Sequence, residues 1–166
     1  MNNVVLIGFM GSGKSSVGKV LADKLERNFI DMDDEIEVGE KKSINEIFDE
    51  YGEEHFRELE TSYLEKLLTK KNKVIATGGG VVLKEENISI LKRIGTVVFL
   101  HTPFEQLLRN LQDDTERPLL KDVDHETTIK NLLNLREPIY FEASNMIIQT
   151  KDKSVEEIAD EIVSLL

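Results

Sequence analysis

The octapeptide Gly8-Phe9-Met10-Gly11-Ser12-Gly13-Lys14-Ser15 constrains this chain more than any other feature, because of what flanks it. Four apolar residues, Val4-Val5-Leu6-Ile7, precede it, and a run of helical periodicity follows, with Val17, Val20, Leu21 and Leu25 on one stripe. A buried strand, a glycine-rich turn and a helix N-terminus in that order form a socket for phosphate. The glycines let backbone N–H groups approach an anion, and the helix end adds partial positive charge. In such a loop Lys14 reaches the β- and γ-phosphates and the Ser15 hydroxyl ligates Mg²⁺, while Gly11, Ser12, Gly13 and Ser16 complete the cradle. The motif specifies a nucleoside triphosphate and leaves the acceptor open.

The rest of the chain continues the alternation. Short apolar runs at residues 29–31, 74–76, 96–100 and 146–148 read as strands. Residues 43–50, 54–68, 126–137 and 155–166 read as helices, and Thr102-Pro103 predicts another helix start, with Thr at the N-cap and Pro at N1. Strands that are apolar without alternation, separated by helices, imply a parallel sheet covered on both faces. Residues 112–125 are polar, charged and aperiodic, as expected of a mobile loop.

At 166 residues one domain is expected, with about two-thirds of its unfolded surface buried. There is no cysteine, hence no thiolate metal site and no disulfide. The N-terminus predicts neither a signal peptide nor a membrane span, and a cytoplasmic location is expected. A net charge of −11 disfavours nucleic acid and anionic membranes as partners. It equally repels ATP, so a nucleotide site must depend on local cations.

Several such groups stand out, each with a plainer alternative. Asp31 and Asp33, two apart after the second strand, face the same side if the backbone stays extended, where they can position hydrated Mg²⁺ and an attacking hydroxyl. They also belong to an acidic cluster suited to a helix's first turn, a role that Asp34 and Glu35 fit better. Arg57 can be a helix-surface arginine paired with neighbouring glutamates, and Arg136 a last-turn residue on the helix dipole. Glu60 can orient Arg57 or simply be solvated. Arg117, in the polar segment, can approach phosphate on closure. Gly78, Gly79 and Gly80 permit close backbone approach to a ligand or a loose strand exit. His55, His101 and His125 are too scattered for a metal site.

Taken together, the phosphate loop, Asp31-x-Asp33, Phe56-Arg57-x-x-Glu60, Gly78-Gly79-Gly80, Arg117-Pro118-Leu119-Leu120 and Arg136-x-Pro138-x-Tyr140 resemble the shikimate kinase family over nearly the whole chain. The resemblance implies an α/β, three-layer, nucleoside-monophosphate-kinase-like P-loop NTPase fold, with a five-stranded parallel sheet in the order 2-3-1-4-5. It implies an acceptor-binding helical region over about residues 33–61, a lid over about 112–125, and a monomer. The implied reaction moves the ATP γ-phosphoryl to the shikimate 3-hydroxyl, with Mg²⁺, on the route to chorismate and aromatic amino acids. Asp33 would hold the acceptor hydroxyl. Arg57, Arg136 and the backbone of the triple glycine would grip shikimate, with Glu60 orienting Arg57. Arg117 and Lys14 would contact transferring phosphate, and Ser15 would bind Mg²⁺ with Asp31 acting through water.

The adenine side departs from the family pattern. Asn110 stands where many members carry arginine, and residues 148–155 lack the usual aspartate-proline. Arg109, Asn110 and Lys153 are the candidates for base contacts. A gluconate kinase or a nucleoside monophosphate kinase would share the phosphate loop but not this set of acceptor-side arginines. A GTP-binding module would need an Asn/Thr-Lys-x-Asp motif, which the sequence lacks.

Overall fold

The computed structural model describes residues 2–166. Five short strands frame it: β1 (Asn3–Ile7), β2 (Asn28–Asp31), β3 (Lys73–Ala76), β4 (Gly95–His101) and β5 (Met146–Gln149). All neighbours pair in parallel, in the order β2-β3-β1-β4-β5. Central β1 puts Val5 between Ile75 of β3 and Val97 of β4. Because strand side chains alternate, β1 feeds both cores.

Val5 and Ile7 face one core, with Ile75, Val97 and Phe99. It is covered by Leu64 and Leu67 of α4 (Glu53–Leu67), Leu91 and Ile94 of α5 (Glu85–Ile94), Leu107 of α6 (Phe104–Leu111), and Ile129 and Tyr140 of α7 (His125–Ala143). Val4 and Leu6 face the other, against Val17 and Leu21 of α1 (Lys14–Lys24) and Ile158 and Ile162 of α8 (Val155–Leu165). Each such aliphatic side chain contributes about 1.5–3 kcal/mol when fully buried. A satellite core of Ile36, Ile47 and Phe56 joins α4 to α2 (Met32–Glu40) and α3 (Ile44–Tyr51). These three helices form the region expected to receive the acceptor.

The helical layer differs from the sequence reading in four places. The acidic stretch after β2 is itself a helix, α2, whose buried positions are Met32 and Ile36. Residues 85–94 form α5, which the sequence reading passed over, although it buries Ile90, Leu91 and Ile94 and carries acidic residues first and basic residues last. The N-cap of α6 is Pro103, one position later than expected, because the Thr102 hydroxyl is engaged with Thr150 at 2.7 Å. Helix α7 runs through Pro138 to Ala143 instead of ending near Glu137. Pro138 lies on the exposed face, while buried Tyr140 and Ala143 hold the last turns to the core.

Candidate active site

The chain after each of β1, β2 and β3 contributes to one crevice at the C-terminal edge of the sheet, the edge where open parallel sheets place ligands. Gly13, the N-cap of α1, has φ 88°, a left-handed conformation that admits glycine without strain. The loop encloses a cavity of about 450 Å³ lined by Gly11, Gly13, Lys14, Ser15, Ser16, Asp31, Asp33, Thr77, Gly78, Gly79, Asn110 and Arg117. Lys14 Nζ donates to the carbonyls of Gly8 and Phe9 at 2.7 and 2.9 Å, which leaves its third N–H for a phosphate. Burial, reinforced by the nearby charge of Arg117, lowers its pKa to about 7; an anionic triphosphate in contact restores the ammonium. Ser12 sits apart from its neighbours in the loop. Its hydroxyl is buried beneath the loop and its amide donates to Phe9, so it does not line the cavity.

Asp31 and Asp33 both line that cavity, but not by sharing one face of an extended strand. Asp31 ends β2 and is the N-cap of α2; its Oδ1 accepts from the amides of Asp33 and Asp34. Asp34 and Glu35 sit in the first turn as expected, where their charge favours the helix dipole, while the cap itself is Asp31. The other oxygen of Asp31 accepts from Ser15 Oγ at 2.5 Å. Asp33 lies inside the first turn of α2 with Oδ1 buried and unpaired. Its pKa is raised, first by burial and then by the charge of Asp31.

A second cavity of about 390 Å³ adjoins the first, lined by Arg57, Glu60, Gly80 and Arg136 among others. Asp33, Gly78, Gly79 and Arg117 line both. Arg57, on α4, donates to Glu60 at 2.7 Å and to Glu53 at 3.2 Å, so two carboxylates on its own helix fix its guanidinium. Glu60 is 0% exposed, and burial pushes its carboxyl up to about 7 despite Arg57. The triple glycine packs into this cluster. A Cβ on Gly80 would strike the Arg57 guanidinium, and one on Gly78 would come within 2.8 Å of Glu60 Oε2 and 3.0 Å of Asp33 Oδ1.

Arg136, on α7, is 2% exposed, with its charge 5.9 Å from the Phe9 ring centroid and its Nε unpaired. One turn later, Tyr140 donates to the Gly79 carbonyl at 2.5 Å. Burial raises the Tyr140 pKa to about 12, so its hydroxyl remains a donor across the range of ordinary assays. Arg117 enters from the 112–124 segment, where Asp114 accepts from its Nε at 2.8 Å and from its amide at 3.1 Å.

Four cations therefore line the two adjoining cavities of a chain whose net charge is −11. The phosphate loop, Asp31, Asp33, Arg57, Glu60, the glycines, Arg117 and Arg136 are brought together. Of the adenine-side candidates, Asn110 joins them on the phosphate cavity, whereas Arg109 and Lys153 do not line it. Asn110 donates to the Gly11 carbonyl at 2.8 Å, Arg109 lines a shallow neighbouring cavity, and Lys153 is tied to Glu161 in the turn before α8. The expected pairing of Arg57 with glutamates at helical spacing is seen with Glu53 and Glu60, whereas sequence reasoning missed Asp114 as the partner of Arg117, although a spacing of three residues was a signal. It also missed Phe9 under Arg136, for which no local signal existed.

The shikimate kinase family model matches residues 10–166. A shikimate kinase from Persephonella marina is 47% identical over 98% of this chain and 98% of its own length. One from Caldicellulosiruptor bescii is 44% identical over 99% of this chain and 95% of its own. The solved structure of shikimate kinase from Acinetobacter baumannii in complex with shikimate superposes with a TM-score of 0.96, at 39% identity over 99% of this chain and 92% of that one. This chain belongs to the shikimate kinase family.

Proposed function

We propose that the chain transfers the γ-phosphoryl group of ATP to the 3-hydroxyl of shikimate, releasing ADP and shikimate 3-phosphate, with the two adjoining cavities as nucleotide and acceptor sites. The observation that carries this reading is Asp33, which lines both cavities, facing the phosphate loop on one side and the Arg57–Arg136 cavity on the other.

Arg57 and Arg136 supply planar forks for the substrate carboxylate, a geometry that a lysine cannot offer. Glu53 and Glu60 fix one fork, and the Phe9 ring supports the other. Tyr140 holds Gly79 so that the backbone there presents a constant surface to the acceptor ring. Asp33 accepts the hydrogen of the attacking hydroxyl. Its raised pKa makes it a better proton acceptor than an exposed aspartate. The hydroxyl oxygen forms the new bond to phosphorus as the bond to ADP breaks, and the hydroxyl proton leaves by way of Asp33. Lys14 and Arg117 neutralise charge on the moving group, so alignment and electrostatics supply most of the acceleration.

The residues at the loop suit Mg²⁺. A hydroxyl and a carboxylate, Ser15 and Asp31, lie together beside the phosphate cavity, and among the described residues no cluster of three or more His, Cys, Asp or Glu offers an all-protein cage. Mg²⁺ is commonly held this way, by few protein ligands together with phosphate oxygens and water, and when bound by Ser15 and Asp31 it would supply charge neutralisation to the triphosphate. The segment expected as a lid over about residues 112–125, less His125, which begins α7, keeps water from the phosphoryl group. The same reading makes the protein a cytoplasmic monomer; among the described residues no helix is long and apolar enough to cross a membrane.

ADP release measured with shikimate, gluconate and nucleoside monophosphates as alternative acceptors tests the reading. Turnover on shikimate is expected. Turnover on gluconate alone would overturn it.

A further inference from the structure

His125 plays no part in the reaction described above, and it holds an unusual position. It is the first residue of α7, and its ring lies between two backbone carbonyls: Nδ1 is 3.0 Å from the oxygen of Leu111, and Nε2 is 3.0 Å from the oxygen of Leu120. Leu111 ends α6, and Leu120 ends the 3-10 turn Pro118–Leu120. The chain between them carries Asp114, Glu116, Arg117 and Pro118 along the wall of the acceptor cavity. Both leucine side chains are buried in the main core, and Leu111 also packs against Gly11 of the phosphate loop, where a Cβ would come within 2.9 Å of its Cγ.

A backbone carbonyl only accepts hydrogen bonds. A neutral imidazole carries one N–H, so it satisfies one of these carbonyls and turns a lone pair toward the other. The imidazolium, with two N–H groups, satisfies both. We propose that His125 is a positioning residue for the phosphoryl transfer, its doubly protonated ring stapling together the two ends of the segment that carries Arg117. Proton loss releases one end. The segment is then held less firmly, and the Arg117 guanidinium is less constrained over the phosphate cavity. From α6 and from the 3-10 turn, what faces the ring is carbonyl oxygen. On its own helix the charged neighbours are Asp124, the N-cap, whose carboxylate accepts from Thr127, and Glu126 of the first turn. Among the described residues His125 takes part in no ion pair.

The catalytic consequence rests on the role given to Arg117 above, whereas the staple does not, and the test keeps the two apart. On the full chain, imidazole ¹⁵N NMR of His125 is followed from about pH 5 to about pH 8. Amide hydrogen exchange of residues 112–120 is measured over the same range and corrected for the intrinsic pH dependence of exchange. Both ring nitrogens are expected to carry protons at the acid end. Protection of the segment should fall roughly tenfold, the scale of one charge-assisted hydrogen bond, at the midpoint of the ring titration. His125→Asn, whose amide nitrogen cannot span both carbonyls, should abolish that step, and the pH profile of turnover should lose the matching inflection. A single neutral tautomer throughout the range would overturn the proposal, as would exchange that ignores the ring titration or an Asn variant that keeps the step. Should that variant fail to fold, coincidence or mismatch of the two wild-type midpoints decides.

Discussion

Tyr140 and Gly79 are 61 residues apart in sequence, and the Tyr140 hydroxyl donates to the Gly79 carbonyl at 2.5 Å. This bond joins α7, which carries Arg136, to the glycine turn after β3, adding a directed link between two walls of the acceptor cavity that also share the main core. Tyr140→Phe leaves that carbonyl without its partner. A loss of about 1–3 kcal/mol in stability is expected by denaturant titration, with a higher KM for shikimate and an unchanged KM for ATP.

Gly80 is held small by Arg57, since a Cβ there would strike the guanidinium. Gly80→Ala should displace Arg57 from Glu60 and lower kcat/KM for shikimate by roughly tenfold to a hundredfold, the cost of a misplaced substrate-binding group. Steady-state kinetics with ATP and shikimate varied in turn check this. Equal loss toward both substrates would count against the assignment.

The buried carboxyl of Glu60 gives stability a defined pH dependence. Burial raises its pKa from an ordinary 4.5 to about 7, so between those values the folded chain binds a proton that the unfolded chain has released. Stability from this group is fully present below about 4.5 and is lost as pH rises through about 7. Asp33 is shifted in the same direction. The difference between wild type and Glu60→Gln isolates Glu60. Chemical denaturation across this range should show wild type losing stability relative to the variant as pH rises.

Asp31 combines two tasks that substitution can separate. Asn keeps the cap on α2 but removes the charge beside Ser15; Ala removes both. Asp31→Asn should fold with near-normal stability and need more Mg²⁺ for half-maximal turnover. Asp31→Ala should lose about 1 kcal/mol in addition. Thermal melts with Mg²⁺ titrations of activity distinguish the two.

These residues also mark what could be read without coordinates. The five strands were legible because each is a short apolar run bounded by glycine or polar residues, and the phosphate loop because its spacing is tied to backbone geometry. Helix α2 was not legible: only Met32 and Ile36 of its nine residues are buried, and its acidic run reads as a ligand cluster before it reads as a helix. Helix α5 had a usable pattern, with Ile90, Leu91 and Ile94 buried, that went unused. Pro138 argued for an end to α7, and tertiary burial of Tyr140 overrode it. Within the site, charged groups close in sequence, such as Arg57 and Glu60, were readable from helical spacing. The contacts of Tyr140 with Gly79 and of Arg136 with Phe9 were not, because they depend on how α7 crosses the end of the sheet.

The central claim is that Asp33 joins a nucleotide site to a shikimate site. ³¹P NMR of ATP, Mg²⁺ and shikimate with the wild-type chain and with Asp33→Asn tests it most directly. Wild type should consume the ATP γ-phosphate and give one new phosphomonoester resonance assigned to the shikimate 3-oxygen, while Asp33→Asn, still able to bind ATP, should form that resonance at least about a hundredfold more slowly. Release of inorganic phosphate alone by the wild-type chain, or transfer at an undiminished rate by Asp33→Asn, would contradict the account.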